Sequence, residues 1–322
     1  MTKNLTLFAV FFILFACDKK SEVEKAVEEI PVEVAVERFD KAFYESSPSQ
    51  LQQLKAKYPY FFPPDTPDQV WVEKLQDPLW QELYNEVKNK YPTFEEQQAE
   101  IESLVKHIKY NYPQTRVPKV ITLISEMDYN NKAIYADSLI LVSLELYLGK
   151  DHKFYTNEFP EYISYNFEPR QIAPDIAYSF AERKVSPPSD NTLLAQMIYE
   201  GKLLYMEDML LPEHSDAEKI GYSPEQLQWC IENESYMWMY FIEGELLYNS
   251  DQKLVTRFIA PAPFSKFYLE IDNETPGRVG RWLGWQIVRS FMRNNEVPLQ
   301  KMLMMDAREI FEKSRYKPKK NE

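Results

Sequence analysis

Cys17 stands in a setting that specifies its chemistry. It follows Leu14-Phe15-Ala16, and Lys3 and an apolar run from Leu5 to Phe15 lead into that tetrapeptide. A basic start, an apolar stretch too short to span a bilayer and a small residue directly before Cys form the pattern at which lipoprotein signal peptidase cuts. The expectation is that residues 1–16 are a signal peptide and that the Cys17 thiol is acylated. Acyl chains then hold the protein to a membrane of the cell envelope, facing the periplasm. Each buried methylene contributes about 0.8 kcal/mol, so two or three chains anchor a protein without any transmembrane helix. An ordinary secretory signal with an incidental Cys is the competing reading.

A second chemistry is suggested by Gln196-Met197-Ile198-Tyr199-Glu200-Gly201-Lys202-Leu203-Leu204-Tyr205, a helical segment that comes after a β-rich region. At such a place zincin peptidases carry H-E-x-x-H, two histidines that ligate zinc from one helix face around a Glu that acts as general base. The equivalents here are Tyr199, Glu200 and Leu203. Leu203 has no lone pair for a metal and Tyr199 is a poor zinc ligand, so a zincin scaffold in this chain would have lost its metal. The plainer reading is a core helix with a buried apolar stripe. Glu234, Glu243 and Glu245 could join Glu200 in a polar pocket, since paired carboxylates in a cleft do acid–base work. Exposed, unpaired glutamates are the commoner case. Tyr199, Glu200, Leu203 and Glu243 are therefore the candidate degenerate site, with no catalytic residue, metal or cofactor assigned.

A third cluster stands out by its glycines. The chain has 7 Gly, and three are Gly277, Gly280 and Gly284. Gly280 and Gly284 fall one helical turn apart and permit close approach of another backbone, while Gly277 after Pro276 fits a turn into the helix. Arg278, Arg281, Trp285 and Arg289 lie on neighbouring turns. One reading is tight helix packing with arginines paired to surplus carboxylates. The other is a surface that grips a protein partner, because Arg and Trp are enriched at interface hot spots.

The elements that must position these groups follow from composition and periodicity. The net charge of −13 argues against nucleic acid as a partner, since phosphate binding needs clustered cations. The 3 histidines are far apart, and with Cys17 acylated only Cys230 remains, so the mature chain relies on its core rather than on an internal disulfide. Residues 17–36 are rich in Glu, Lys and Val around Pro31 and read as a lipidated acidic tether. Residues 37–322 read as one globular domain that begins near Phe39, with Phe39, Ala42 and Phe43 at helical spacing. Helices are expected over 68–90 and 93–112, the second opened by a Thr93/Glu96 capping box. Further helices are expected over 191–211, 223–248 and 277–295. The 229–241 stretch is so aromatic that it is expected at the buried centre. Val120–Ile124, Ala133–Ala136 and Ser138–Ser143 are β-rich. The fold class is α+β: mainly helical with a small central β-sheet.

With the lipobox, Lys55-Ala56-Lys57-Tyr58-Pro59-Tyr60-Phe61-Phe62, Asn131-Lys132-Ala133-Ile134-Tyr135-Ala136-Asp137-Ser138-Leu139, Tyr199-Glu200-Gly201-Lys202, Pro263-Phe264-Ser265-Lys266 and Pro276–Gln286 all in place, the chain resembles the GldB family of gliding motility lipoproteins of Bacteroidetes. The likeness runs along nearly the whole mature chain. It implies a non-enzymatic envelope lipoprotein tied to other gliding lipoproteins and to secretion proteins of the envelope. The 197–205 helix also resembles that of predicted zinc-dependent proteases with both histidines missing, which implies a repurposed protease scaffold. The alternatives from other classes are a metal-dependent hydrolase and a peptide-binding or chaperone lipoprotein that uses the old substrate cleft.

Overall fold

The computed structural model describes residues 21–188 and 190–319; Cys17 and the signal segment lie outside the described residues. The chain forms a mainly helical α+β fold around a four-stranded mixed sheet. Strands β1 (Val36–Arg38), β2 (Lys119–Leu123), β3 (Ala133–Ala136) and β4 (Leu139–Ser143) lie in the order β1-β2-β4-β3. β1 and β4 run parallel to β2, and β3 runs antiparallel to β4. β2 is central, with Val120, Ile121 and Thr122 wholly buried, which is why it reads as an unbroken β-branched run. β3 and β4 are joined by the two-residue turn Asp137-Ser138, with Asp137 in the left-handed region at φ 52°. β1 was not expected. It is three residues long, too short for any periodicity, and exists because Val36 finds a partner in Val120.

The first half of the chain supplies α1 (Glu22–Glu28), α2 (Phe39–Tyr44), α3 (Leu51–Lys57), α4 (Asp68–Gln76), α5 (Pro78–Lys90) and α6 (Glu95–Asn111). The single helix expected over 68–90 is broken at Asp77, whose carboxylate accepts from the Leu79 and Trp80 N–H groups while Pro78 takes the first helical position. The Thr93/Glu96 capping box does not form, because Phe94 occupies the cap position of α6. The acidic tether expected over 17–36 is also corrected. From Ser21 onward this segment is folded: α1 packs on α6, and Val27 and Val34 are 2% and 1% exposed. Glu102 accepts from the Val34 N–H and Gln98 donates to the Val34 carbonyl. Composition misses this because the satisfying groups lie some 65 residues away in sequence.

The second half contains α7 (Glu161–Ser164), α8 (Ile172–Glu182), α9 (Leu193–Leu210), α10 (Asp216–Ile220), α11 (Pro224–Glu232), α12 (Glu234–Glu243), α13 (Gln252–Phe258), α14 (Val279–Asn294), α15 (Leu299–Met304) and α16 (Ala307–Ser314). The core centres on α9 against α14. Gly284 makes that contact possible, since a Cβ there would sit 1.8 Å from the Met197 carbonyl oxygen. On the facing helix, a Cβ at Gly201 would sit 2.4 Å from the Gly284 carbonyl. The helix expected over 223–248 is two, α11 and α12, meeting at Asn233. Nor is α12 the buried centre: Met237 and Phe241 face inward, while Tyr236, Met239 and Ile242 are exposed.

Candidate functional site

α9 sends Glu200 and Glu207 from one face, seven residues or two turns apart, into a cleft of about 1250 Å³. β3 forms one wall, and its Tyr135 N–H is capped by Ser179 Oγ of α8 at 3.0 Å. The turn after α10 contributes Tyr222, and the start of α14 contributes Arg278 and Arg281. Glu200, Glu207, Arg278 and Arg281 thus line one cleft together with Tyr178 and Tyr222.

Glu200 and Arg281 are a pair: Arg281 Nε lies 2.9 Å from Glu200 Oε2, although its N–H is not aimed along that line. The Tyr178 hydroxyl donates to the same oxygen at 3.3 Å, and the Arg281 guanidinium lies 5.3 Å from the centre of the Tyr178 ring. Glu207 differs. It is 1% exposed and neither carboxyl oxygen has a hydrogen-bond partner among the described residues. Burial pushes its pKa well above the ordinary carboxylate range, with Arg281 opposing. Burial thus favours its protonated form, in which the carboxyl can donate an O–H.

Arg278 occupies the cap position of α14 in the left-handed region at φ 62°, a conformation usual for Gly and uncommon for Arg. The turn before it is held by the Tyr222 hydroxyl donating to the Gly277 carbonyl. Gly277 is required there, as a Cβ would lie 2.1 Å from the Ala262 carbonyl oxygen. The Arg278 guanidinium donates to the Gly221 carbonyl at 3.0 Å and lies 5.3 Å from the centre of the Tyr222 ring.

The candidate residues from the sequence are scattered. Tyr199 is half-buried and Leu203 is wholly buried in the core, so neither faces the cleft floor as a ligand would. Glu243 is exposed on α12 and does not line the cleft. Glu234 is buried elsewhere, accepting from the Tyr316 hydroxyl and the Lys319 N–H. Among the described residues no group of three or more His, Cys, Asp or Glu is placed to hold a metal ion. Arg278, Arg281, Trp285 and Arg289, expected as one partner surface, do not share a face. The first two face the cleft, Trp285 is fully buried, and Arg289 stacks on Trp285 while bonding Asp208 and Asp216. The physical reason is the glycine crossing, which draws α14 into the core and turns Arg281 and Arg289 toward internal acids. Glu207, Tyr178 and Tyr222 were missed. The signal for Glu207 was visible, as a Glu two turns past Glu200 in a largely apolar helix.

Glu145, fully buried after β4, is a second carboxyl pushed up by burial, to about 8, even with Ser125 donating to it at 2.6 Å. A carboxyl whose folded value exceeds its unfolded one binds more protons in the folded state, so stability falls as pH rises through that window. Through Glu145, unfolding free energy should therefore decline from about pH 4.5 toward pH 8 by up to about 1.4 kcal/mol per pH unit, and Glu207 should add a decline of the same sign. Urea melts of wild type, Glu145→Gln and Glu207→Gln across this range test it. A slope unchanged by both substitutions would contradict the assignment.

The model of one protein family, described as gliding motility protein GldB, matches residues 20–318. A search of curated proteins returned no match, and a search of solved structures returned none either.

Proposed function

Because the chain belongs to the GldB family of gliding motility proteins, we propose that it is a lipid-anchored, non-enzymatic component of the cell envelope that serves gliding through protein partners. The observation that carries this reading is the lipobox Leu14-Phe15-Ala16-Cys17 set directly before the family region, which begins at residue 20. No helix among the described residues is long and apolar enough to cross a membrane. Acyl chains on Cys17 supply the attachment. α1 is docked on α6, and Cys17 stands four residues before Ser21, the first residue that the structure describes. Four residues reach at most about 15 Å, so the domain rides close against the bilayer instead of being lifted from it.

Action through partners is supported by the state of the one acid at the zincin-like position. Glu200 is engaged by Arg281 and Tyr178, and Leu203 offers no lone pair. The partners are other gliding or secretion proteins of the envelope. In the source bacterium, Cys17→Ala as the sole copy should accumulate uncleaved precursor, leave the membrane-anchored fraction and abolish gliding. Full gliding with a soluble Cys17→Ala protein would refute the anchor. Affinity co-purification of the intact lipoprotein from detergent-solubilised envelopes should return a fixed set of proteins at constant ratios. Recovery of the protein alone would refute the partner reading.

A further inference from the structure

We propose that the cleft between β3, α9 and the start of α14 receives an extended peptide segment of a partner protein, with a peptide carboxylate seated on Arg278. The inference deepens the reading that this protein acts through protein partners and rests on it.

Arg278 carries the argument. No carboxylate among the described residues pairs with it, in contrast to Arg281 with Glu200 and Arg289 with Asp208 and Asp216. An arginine without a counter-ion, placed on the cleft floor by a left-handed turn at φ 62°, is an unusual use of that position, where Gly would be cheaper. The turn is built to aim the side chain: Gly277 is wedged against Ala262, and Tyr222 is bonded to the Gly277 carbonyl. The planar fork of a guanidinium matches a carboxylate in bidentate geometry. The positive end of α14, sixteen residues long, lies at the same point.

The second, independent observation is Glu207. Its carboxyl lines the cleft, 99% removed from solvent by residue exposure of 1%, with both oxygens unpartnered. A buried polar group left unmet costs about 1–3 kcal/mol, so its native state calls for a partner. Its carboxyl can accept from a peptide N–H and, in the protonated form that burial favours, donate to a peptide carbonyl. The occupant is a peptide on grounds of size and lining. A space of about 1250 Å³ exceeds that of typical small-molecule sites, and tyrosines 129, 162, 165, 178 and 222 run along it. Aromatic rings with polar tips suit a chain of mixed side chains.

The test uses the full chain with Cys17 intact, solubilised in detergent, immobilised and incubated with random decapeptides made in two pools, one with free C-terminal carboxylates and one with C-terminal amides. Retained peptides are sequenced by mass spectrometry. Carboxylate-bearing peptides should be enriched about ten- to hundredfold, the range expected for a charge-assisted contact. If the chain terminus is the bound carboxylate, only the free-acid pool is retained. If an Asp or Glu side chain is bound, both pools are retained and an acidic residue recurs at one position. No retention, or retention indifferent to carboxylates, overturns the proposal. Arg278→Gln keeps an amide donor for the Gly221 carbonyl and should melt as wild type yet lose the enrichment, while Arg278→Lys should recover part of it. A folded Arg278→Gln protein with undiminished enrichment also overturns it. Should Arg278→Gln not fold, the comparison of the two pools on the wild-type protein decides. Enrichment here together with an empty co-purification from envelopes would leave the peptide site standing and remove the reading of a stable envelope complex.

Discussion

Gly284→Ala should unfold the protein or cost it more than about 4 kcal/mol of stability, the range reserved for gross steric or core damage. Helix propensity alone predicts the opposite sign, since Ala is favoured over Gly in a helix interior by about 1 kcal/mol. Geometry decides between them. The added Cβ would lie 1.8 Å from the Met197 carbonyl oxygen, 2.4 Å from its carbonyl carbon and 3.1 Å from its Cα. These are backbone atoms inside α9, and no rotamer change moves them aside. Relief requires α9 and α14 to separate, which opens voids beside Trp285, Leu283 and Leu204, all fully buried. Gly201→Ala should behave alike, because its Cβ would meet the carbonyl carbon and oxygen of Gly284 at 2.4 Å. Thermal and urea denaturation followed by circular dichroism would check this. A Gly284→Ala protein that melts with the wild type would mean the two helices are farther apart than described.

Asp208→Ala should cost about 3 kcal/mol, through a different mechanism. The Asp208 carboxylate accepts from Arg289 Nε at 2.7 Å and Nη2 at 2.6 Å, and from Trp285 Nε1 at 2.9 Å. Lys219 Nζ stands 3.2 Å away with its side chain 6% exposed. Deleting the carboxylate strands a lysine and an indole N–H in a largely desolvated setting, and leaves Arg289 with Asp216 alone. Breaking a buried pair from one side is costly because the surviving charge stays buried. Asp208→Asn should cost less, since an amide oxygen still accepts from Trp285. A double-mutant cycle with Arg289→Leu should show a coupling of 1 kcal/mol or more, a size expected for contacting charged groups. Additive losses would show that the network is not a unit. Any motility defect of Arg289 variants should track lost stability, because this arginine is bound inside the protein.

The tetrapeptide Tyr199-Glu200-Gly201-Lys202 shows how far residue types can be read alone. Its singularity was plain in the sequence, and a metal site was the first chemistry to consider. In the fold each position has a separate task. Glu200 pairs with Arg281 in the cleft, Gly201 admits α14, and Lys202 donates to the Leu303 and Met305 carbonyls at the end of α15. Its buried ammonium is pushed down to about 8 by the same desolvation. None of these partners lies near in sequence, so no local pattern could have separated the roles.

What the sequence determined by itself was whatever depends on short-range order. The β-rich runs became β2, β3 and β4, and the apolar helices over 191–211 and 277–295 became α9 and α14, because periodicity and β-branching are local properties. The close approach expected of Gly280 and Gly284 is likewise there, since only glycine leaves room for a backbone. Tertiary structure decided the rest. It ordered residues 21–36 by setting Val27 and Val34 against α6 and closing the Val34 backbone with Glu102 and Gln98. It turned Trp285 and Arg289 inward to Asp208, brought Tyr178, Glu207 and Tyr222 to one cleft, and left Arg278 there without a counter-ion among the described residues. Charge pairing and burial act through space, and the chain records them only as residues whose partners lie 50 to 100 positions away.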